Sequence, residues 1–354
     1  MKYAIVGAGP AGIEAASIIA SQGIEVVLFE KSAAAMKNVA DKAYLFPNFA
    51  PADTIVQAMD KKLQDSHISV HFDTEIVDIS RVLRAGNVEH YGNELATSGL
   101  DQLPSEWKLT DQKGHSYFAD KVLLATGYTP FDAHRKEELG YGIYKGVHTS
   151  LEMERMIRHE QIVNSLGETP RRITFLQCVG SRDEKMGNHY CSKLCCVTAV
   201  KQAIEVKKQL PASEVFVFYM DLRMWGQGFE EMYREAQEKY GIRFVRGRIS
   251  EAGGTFDGRV QIKAEDTLMG VPMKLTTDLL ILMVGMEPSE GTRNLSKRCQ
   301  ICGQYGFAES RDPHLHDNAT TQANLYLAGT CKRPMTLSDT VNDARSAAWE
   351  ILHS

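Results

Sequence analysis

Short apolar runs alternate with stretches of helical spacing from the first residues of this chain. Tyr3-Ala4-Ile5-Val6 reads as a buried strand, and Gly7-Ala8-Gly9-Pro10-Ala11-Gly12 as the turn that follows. Ile13, Ala16, Ile19 and Ala20 then recur on one helical face, and Gly23 supplies the stop. Residues 24–30 form a second buried strand, and residues 68–79 and 121–127 supply further strand material. Near residue 150 the pattern restarts. Residues 173–177 read as a strand, and 195–210 as a helix that is apolar at Val197, Val200, Ala203 and Ile204. A strand at 215–220, a helix at 229–240 and strands at 242–245 and 278–285 follow. The last strand, 325–328, leads through a turn to a helix at 339–352.

This βαβαβ order, given twice, predicts an α/β protein with two doubly wound, Rossmann-like domains. Residues 1–150 and 286–354 are expected to form a discontinuous dinucleotide-binding domain. Residues 151–285 are expected to form an inserted second domain.

A length of 354 residues allows two or three domains with a substantial core. The net charge of −5 gives no basic excess, so nucleic acid is not an expected partner. No apolar run is long enough to span a bilayer. The first strand begins almost at once and leaves no room for a signal peptide, so the chain is expected in the cytoplasm. In that reducing compartment the seven cysteines argue for ligands, redox chemistry or burial, and against a disulfide framework.

G-x-G-x-x-G between a strand and a helix has a mechanical reason. Gly7 permits the turn, Gly9 lets backbone approach a pyrophosphate, and Gly12 allows close helix–strand packing. Pro10 and Ala11 complete the loop, and the helix N-terminus faces the phosphates. Glu30, closing the second strand, can accept hydrogen bonds from ribose hydroxyls. Lys31 and Ile76 are counted with it as candidate nucleotide contacts. Leu124-Ala125-Thr126-Gly127 and Leu325-Tyr326-Leu327-Ala328-Gly329-Thr330 resemble two turns of flavoproteins with paired dinucleotide domains, such as thioredoxin reductases. That resemblance places FAD on the first loop, with Thr126, Gly127, Gly329, Thr330 and Thr340 as further contacts. The family usually has Asp where this chain has Thr330. A hydroxyl there can still bond a ribityl chain. The helix starting near Ser338-Asp339-Thr340 would direct its N-terminal dipole at the flavin ring.

Cys178, Cys191, Cys195 and Cys196 read C-x12-C-x3-C-C. The first stands where a second Gly-rich nucleotide loop belongs, and Cys178-Val179-Gly180-Ser181-Arg182 contains no G-x-G-x-x-G. Four thiolates suit zinc or an iron–sulfur cluster. Adjacent cysteines diverge at a helix start, which suits the separate corners of a cubane better than one small ion. The helix N-terminus also favours an anionic cluster. Iron–sulfur is the preferred reading, with zinc and buried free thiols left open.

The cysteine spacing, set in Q-C-V-G-S-R-D-E and Y-C-S-K-L-C-C, resembles the flavoprotein component of heterodisulfide reductase, its HdrA-type chain. So do Tyr219-Met220-Asp221-Leu222-Arg223 with Gly226-Gln227-Gly228-Phe229-Glu230, and the segment from Gly140 to Glu152. The resemblance covers essentially the whole chain. It implies one FAD, one [4Fe-4S] cluster on the four cysteines, and work beside other iron–sulfur proteins in an electron-transfer complex. It also implies a homodimer. The chain lacks ferredoxin-type C-x2-C-x2-C-x3-C runs. In this it resembles the short HdrA-like proteins of heterodisulfide reductase-like complexes in sulfur oxidisers, which implies dissimilatory sulfur metabolism. The corresponding flavoprotein of the quinone-interacting oxidoreductase complex is a close second. The remaining alternatives are an NAD(P)H-dependent disulfide reductase and a zinc-binding, non-redox scaffold.

Other features weigh less. Cys299 and Cys302 form a lone C-x-x-C and read as ordinary thiols on a loop. Cys331 reads as buried. His159 and His189 have no partner at ligand spacing. Asp221 and Arg223 suit an ion pair or a partner contact. Lys332 and Arg333 read as a solvated basic pair or as counter-charges to a flavin. Trp225, Phe229, Met232 and Tyr233 read as core at helical spacing.

Overall fold

The structure, a computed structural model, describes residues 1–83 and 105–354. The chain divides into two compact units. The first comprises Met1–Lys37, Val56–Thr129 and Glu287–Ser354, and the second Asn38–Ile55 and Pro130–Met286. The second unit thus begins about twenty residues before the expected 151 and also takes a segment from the N-terminal part. The reason is packing and buried charge. Ala43 joins the second unit's core, Phe46 meets Phe229 edge to face, and the Tyr44 carbonyl accepts from Lys201 Nζ at 2.9 Å. Periodicity reports none of this, because the segment is short and irregular.

The first unit is built on a parallel sheet in the order Leu325–Leu327, Lys121–Leu124, Lys2–Val6, Glu25–Phe29, Ile68–His71. Both faces are covered, so the central strands are continuously apolar. Ala4, Val6, Phe29, Val122, Leu124 and Leu327 fill one core. Helix Pro10–Ala20 opens with proline, whose missing N–H would lack an intrahelical partner there anyway. The strand material at 68–79 is two strands, Ile68–His71 and Ile76–Leu83. Between them Asp73 turns at φ +50°. The last helix runs Leu337–His353, two residues earlier than its pattern suggests. Thr336 and Asp339 cap each other's backbone N–H and fix that start.

The second unit repeats the plan, in the order Val147–Thr149, Leu279–Val284, Arg172–Val179, Glu214–Tyr219, Arg243–Arg246, all parallel. Helix Cys195–Gln209 follows the central strand and is buried along most of its length. It carries a buried polar knot. Lys201 Nζ lies 2.6 Å from Glu154 Oε1 and 3.5 Å from Glu205, and all three side chains are almost wholly enclosed. Among the described residues no helix is long and apolar enough to cross a membrane.

Candidate functional site

In the first unit, two of the loop's three glycines are explained by packing. A Cβ on Gly7 would strike the Ala125 carbonyl, and one on Gly12 would strike the Gly7 carbonyl. Gly9 is different. A Cβ there would meet nothing within 4 Å, and its φ of −82° suits any residue. Only something filling that open space gives a reason for glycine. The residues present therefore fit a bound pyrophosphate at the helix N-terminus.

Glu30 is held ready beside the loop. Its Oε2 accepts from Ala8 N at 2.9 Å and its Oε1 from Ser32 N at 2.8 Å, which fixes the carboxylate and leaves lone pairs for hydroxyls. Lys31 is exposed at the same end of the sheet. Ile76 departs from expectation. Its side chain is 3% exposed and belongs to the core cluster that holds Phe29 and Trp107, so packing accounts for it.

The two glycine turns come together. A Cβ on Gly127 would lie 3.8 Å from Thr330 Oγ1, and one on Gly329 would crowd Ala11 and Thr340. Thr126 Oγ1 shares a hydrogen bond with Thr292 Oγ1 at 2.6 Å, and Thr340 donates its hydroxyl to the Thr336 carbonyl. Both hydroxyls are already engaged, so packing and helix geometry account for them. Sequence reasoning missed Asp343. Its Oδ2 accepts from Gly329 N at 2.6 Å, which supplies a carboxylate to this turn from the last helix. Its other oxygen meets Lys332 Nζ at 2.6 Å, and Lys332 also meets Asp317. Lys332 is therefore a buried, paired cation. Arg333 pairs with Asp317 as well, so neither is a loose solvated charge.

In the second unit, the central strand is irregular where the first cysteine sits. Its register against Leu279–Val284 shifts between Leu176 and Val179, and Cys178 has φ +61°. Consecutive strand residues normally point to opposite faces. A bulge removes that alternation. Here Cys178 Sγ reaches 3.6 Å from Cys195 Sγ, while Gln177 Oε1 reaches 3.2 Å from Cys196 Sγ. Beyond the bulge the chain doubles back on itself. Asp183 and Asn188 bridge, Arg182 N donates to the Tyr190 carbonyl, and Asn188 Nδ2 donates to the Gly180 carbonyl. That fold-back returns Cys191 toward the strand it left. Its sulfur accepts from Lys193 N at 3.3 Å. Arg182 and Lys193 also take positive φ, so three non-glycine residues of this segment sit in a region that costs each about 1 kcal/mol or more.

Cys178, Cys195 and Cys196 are buried and Cys191 is half-buried. All seven cysteines are free thiols. Hydrogen bonding from Cys195 lowers the Cys178 thiol, with help from Arg182, and lowers the Cys196 thiol to about 7. The same contacts hold the Cys195 thiol well above its ordinary range. Arg182 lies in the field of Cys178 and Cys191, and its guanidinium is anchored by Asp221, which also faces Arg223 at 3.5 Å. Asp221 and Arg223 are thus part of an ion-pair chain. Among the described residues no three His, Cys, Asp or Glu side chains stand ready as a metal-binding group. The cysteines are gathered but not drawn onto a common point. Two buried donors beside Cys178, Gln177 Nε2 and Ser181 Oγ, have no hydrogen-bond partner among the described residues. Four thiols, a helix N-terminus and orphaned donors fit a sulfur-rich anionic group.

The remaining thiols are structural. Cys299 caps the end of helix Glu290–Arg298 in the core, and burial pushes its thiol up to about 11. Cys302 is partly buried and bridges Ala308. Cys331 is fully buried, pushed up to about 12, and donates to the Leu124 carbonyl. Met232 is core, with Phe229 and Tyr233 packed against it. Trp225 is not. It is 61% exposed on the loop before that helix, and Lys193 Nζ lies 4.3 Å from its ring centroid.

Residues 1–173 match the family model described as pyridine nucleotide-disulphide oxidoreductase. The chain is 38% identical to the iron-sulfur HdrA component of the CoB–CoM heterodisulfide reductase of Methanocaldococcus jannaschii, covering 77% of this chain and 41% of that one. It is 42% identical to the corresponding component of the H2/formate:CoB–CoM heterodisulfide, ferredoxin reductase of Methanococcus maripaludis, covering 64% and 36%. Each match takes in less than half of the relative's length. Thioredoxin reductases from Lactococcus lactis and T. acidophilum share the fold, each with a TM-score of 0.64, at 16% and 18% identity. They cover 99% of this chain, and the match takes in 98% and 97% of theirs. The chain belongs to the HdrA-like family of heterodisulfide reductase flavoproteins, on a two-domain thioredoxin-reductase-like fold.

Proposed function

We propose that this chain is the FAD- and [4Fe-4S]-containing electron-transfer component of a heterodisulfide reductase-like complex. It works in the cytoplasm, as a homodimer, in dissimilatory sulfur metabolism. FAD, when bound, supplies two-electron chemistry, and an iron–sulfur cluster supplies single-electron transfer. The chain's own residues supply binding and electrostatics. Gly7, Gly9, Pro10, Ala11 and Gly12 would hold the pyrophosphate, and Glu30 the ribose. Gly127, Gly329 and Thr330 would flank the flavin end. Cys178, Cys191, Cys195 and Cys196 would hold the cluster, with Arg182 as a nearby positive charge.

The observation that carries this reading is the bulge that turns Cys178 onto Cys195 at the end of the second sheet. In a paired-dinucleotide fold, that strand end is where a second nucleotide loop belongs. Ligands there displace a nicotinamide site and point to partner proteins as the electron source. The close Cys178–Cys195 pair favours one second reading. Tetrahedral zinc with Zn–S near 2.3 Å places its sulfurs about 3.8 Å apart. A cubane requires the pair to open. Anaerobic purification with flavin, iron, acid-labile sulfide and zinc analysis separates the two. About one flavin and four irons per chain support the proposal. Stoichiometric zinc without sulfide supports the scaffold reading.

A further inference from the structure

Gln177 and Cys178 are neighbours on one strand, and the bulge gives both of them to the cysteine site. Gln177 is 5% exposed. Its Oε1 lies 3.2 Å from Cys196 Sγ, where it can accept a hydrogen bond from the thiol, while its Nε2 has no hydrogen-bond partner among the described residues. A buried amide N–H without an acceptor is costly, and such an orphan calls for an explanation. The arrangement is self-consistent only while Cys196 keeps its proton. A cysteine ligand is a thiolate, which has no proton to give and only accepts. On ligation the proton leaves, and Oε1 then faces sulfur as one acceptor against another. Half a turn of the amide about its last side-chain torsion removes both faults. Nε2 then faces the sulfur, and the orphaned donor has its acceptor.

We infer that Gln177 is a positioning residue for the cluster: its amide turns over on cluster binding, donates an N–H to the Cys196 thiolate, and raises the cluster's reduction potential. The inference rests on the cluster reading given above. A donor to a ligand sulfur stabilises the more electron-rich, reduced state more than the oxidised one. Ser181 does not substitute for it. Its side chain lies against the Gly285 position, and its hydroxyl makes no hydrogen bond among the described residues.

The test uses the full chain with its cluster loaded anaerobically, as wild type, Gln177→Met and Gln177→Asn. Methionine keeps the length and loses the donor. Redox titration followed by low-temperature EPR should show full iron and sulfide in Gln177→Met. At a fixed potential its ratio of reduced to oxidised cluster should fall about tenfold, a midpoint about 59 mV lower for one electron. Pulsed EPR in deuterated buffer should show one exchangeable deuteron coupling in wild type that Gln177→Met lacks. An unchanged midpoint with an unchanged coupling overturns the inference. If Gln177→Met takes up no cluster, wild type and Gln177→Asn decide, and absence of the coupling in wild type overturns it. A wild-type chain without iron or sulfide removes the cluster reading itself, which is a different result from an intact cluster indifferent to Gln177.

Discussion

Cys178 and Cys195 bring their sulfurs within 3.6 Å of each other across seventeen residues of sequence. One sits in a strand bulge and the other on the first turn of the helix that returns along that strand. A doubly wound unit brings strand ends and helix starts together for nucleotide phosphates. Here the same place gathers thiols. Single Ser variants of Cys178, Cys191, Cys195 and Cys196 are each expected to lower iron and sulfide content sharply. Cys299→Ser and Cys302→Ser should leave it at the wild-type level. Full cluster content in Cys196→Ser, or its loss in Cys299→Ser, contradicts the ligand set.

Gly9 faces open space, so Gly9→Val should fold normally and weaken FAD at least about tenfold, or about 1.4 kcal/mol. Flavin retention after gel filtration and a titration of the apoprotein check this. A folded variant with wild-type flavin content would remove the pyrophosphate assignment.

Much of this was legible in the sequence because local pattern and local chemistry agree there. The five strands of the first sheet and four of the second follow from short apolar runs, and the cysteine spacing marks its own segment, but strand Val147–Thr149 and helices Ser150–Arg158 and Glu290–Arg298 are too short to stand out. What was illegible depends on long-range contacts. The 38–55 segment joins the second unit through Lys201 and Glu154, which lie more than a hundred residues away. Asp343 reaches the Gly329 turn from inside the last helix, and no motif announces it. Trp225 carries a core-like residue type at a helical offset, yet it lies on a loop. The bulge at Gln177 and Cys178 is invisible because an alternating pattern assumes regular pleating.

Glu205 predicts a pH dependence of stability. Burial, with Glu154 nearby, raises its carboxyl to about 8 against an ordinary 4.5, although Lys201 and Lys208 oppose the rise. Between those values the folded chain keeps a proton that the unfolded chain has released. Its stabilising contribution is therefore complete at low pH and is lost as pH rises through that window. Urea midpoints measured from about pH 5 to pH 8.5 should fall for wild type. They should fall less for Glu205→Gln, which carries no titrating proton. Parallel curves for the two proteins contradict the buried-acid assignment.

Glu154 lies 2.6 Å from Lys201 in the same knot, and the ammonium and carboxylate are both enclosed. Glu154→Ala leaves Lys201 with Glu205 and the Tyr44 carbonyl, without its closest carboxylate, and should cost about 3–5 kcal/mol of stability. Chemical denaturation measures it. A loss under about 1 kcal/mol would mean that the site relaxes by admitting water.

With cysteines where a second Gly-rich loop belongs, NADH and NADPH should not reduce the flavin rapidly. Anaerobic stopped-flow mixing tests that expectation. Stoichiometric bleaching within milliseconds shows that a nicotinamide site survives and favours a disulfide-reductase activity.

The function proposed for this chain depends on a redox cluster held by four cysteines. Low-temperature EPR of the dithionite-reduced, anaerobically purified chain tests it most directly. A reduced [4Fe-4S] cluster on these cysteines gives a half-integer-spin signal integrating to about one spin per chain, absent from Cys195→Ser. A flavin-containing, EPR-silent chain with one zinc per cysteine site would contradict it.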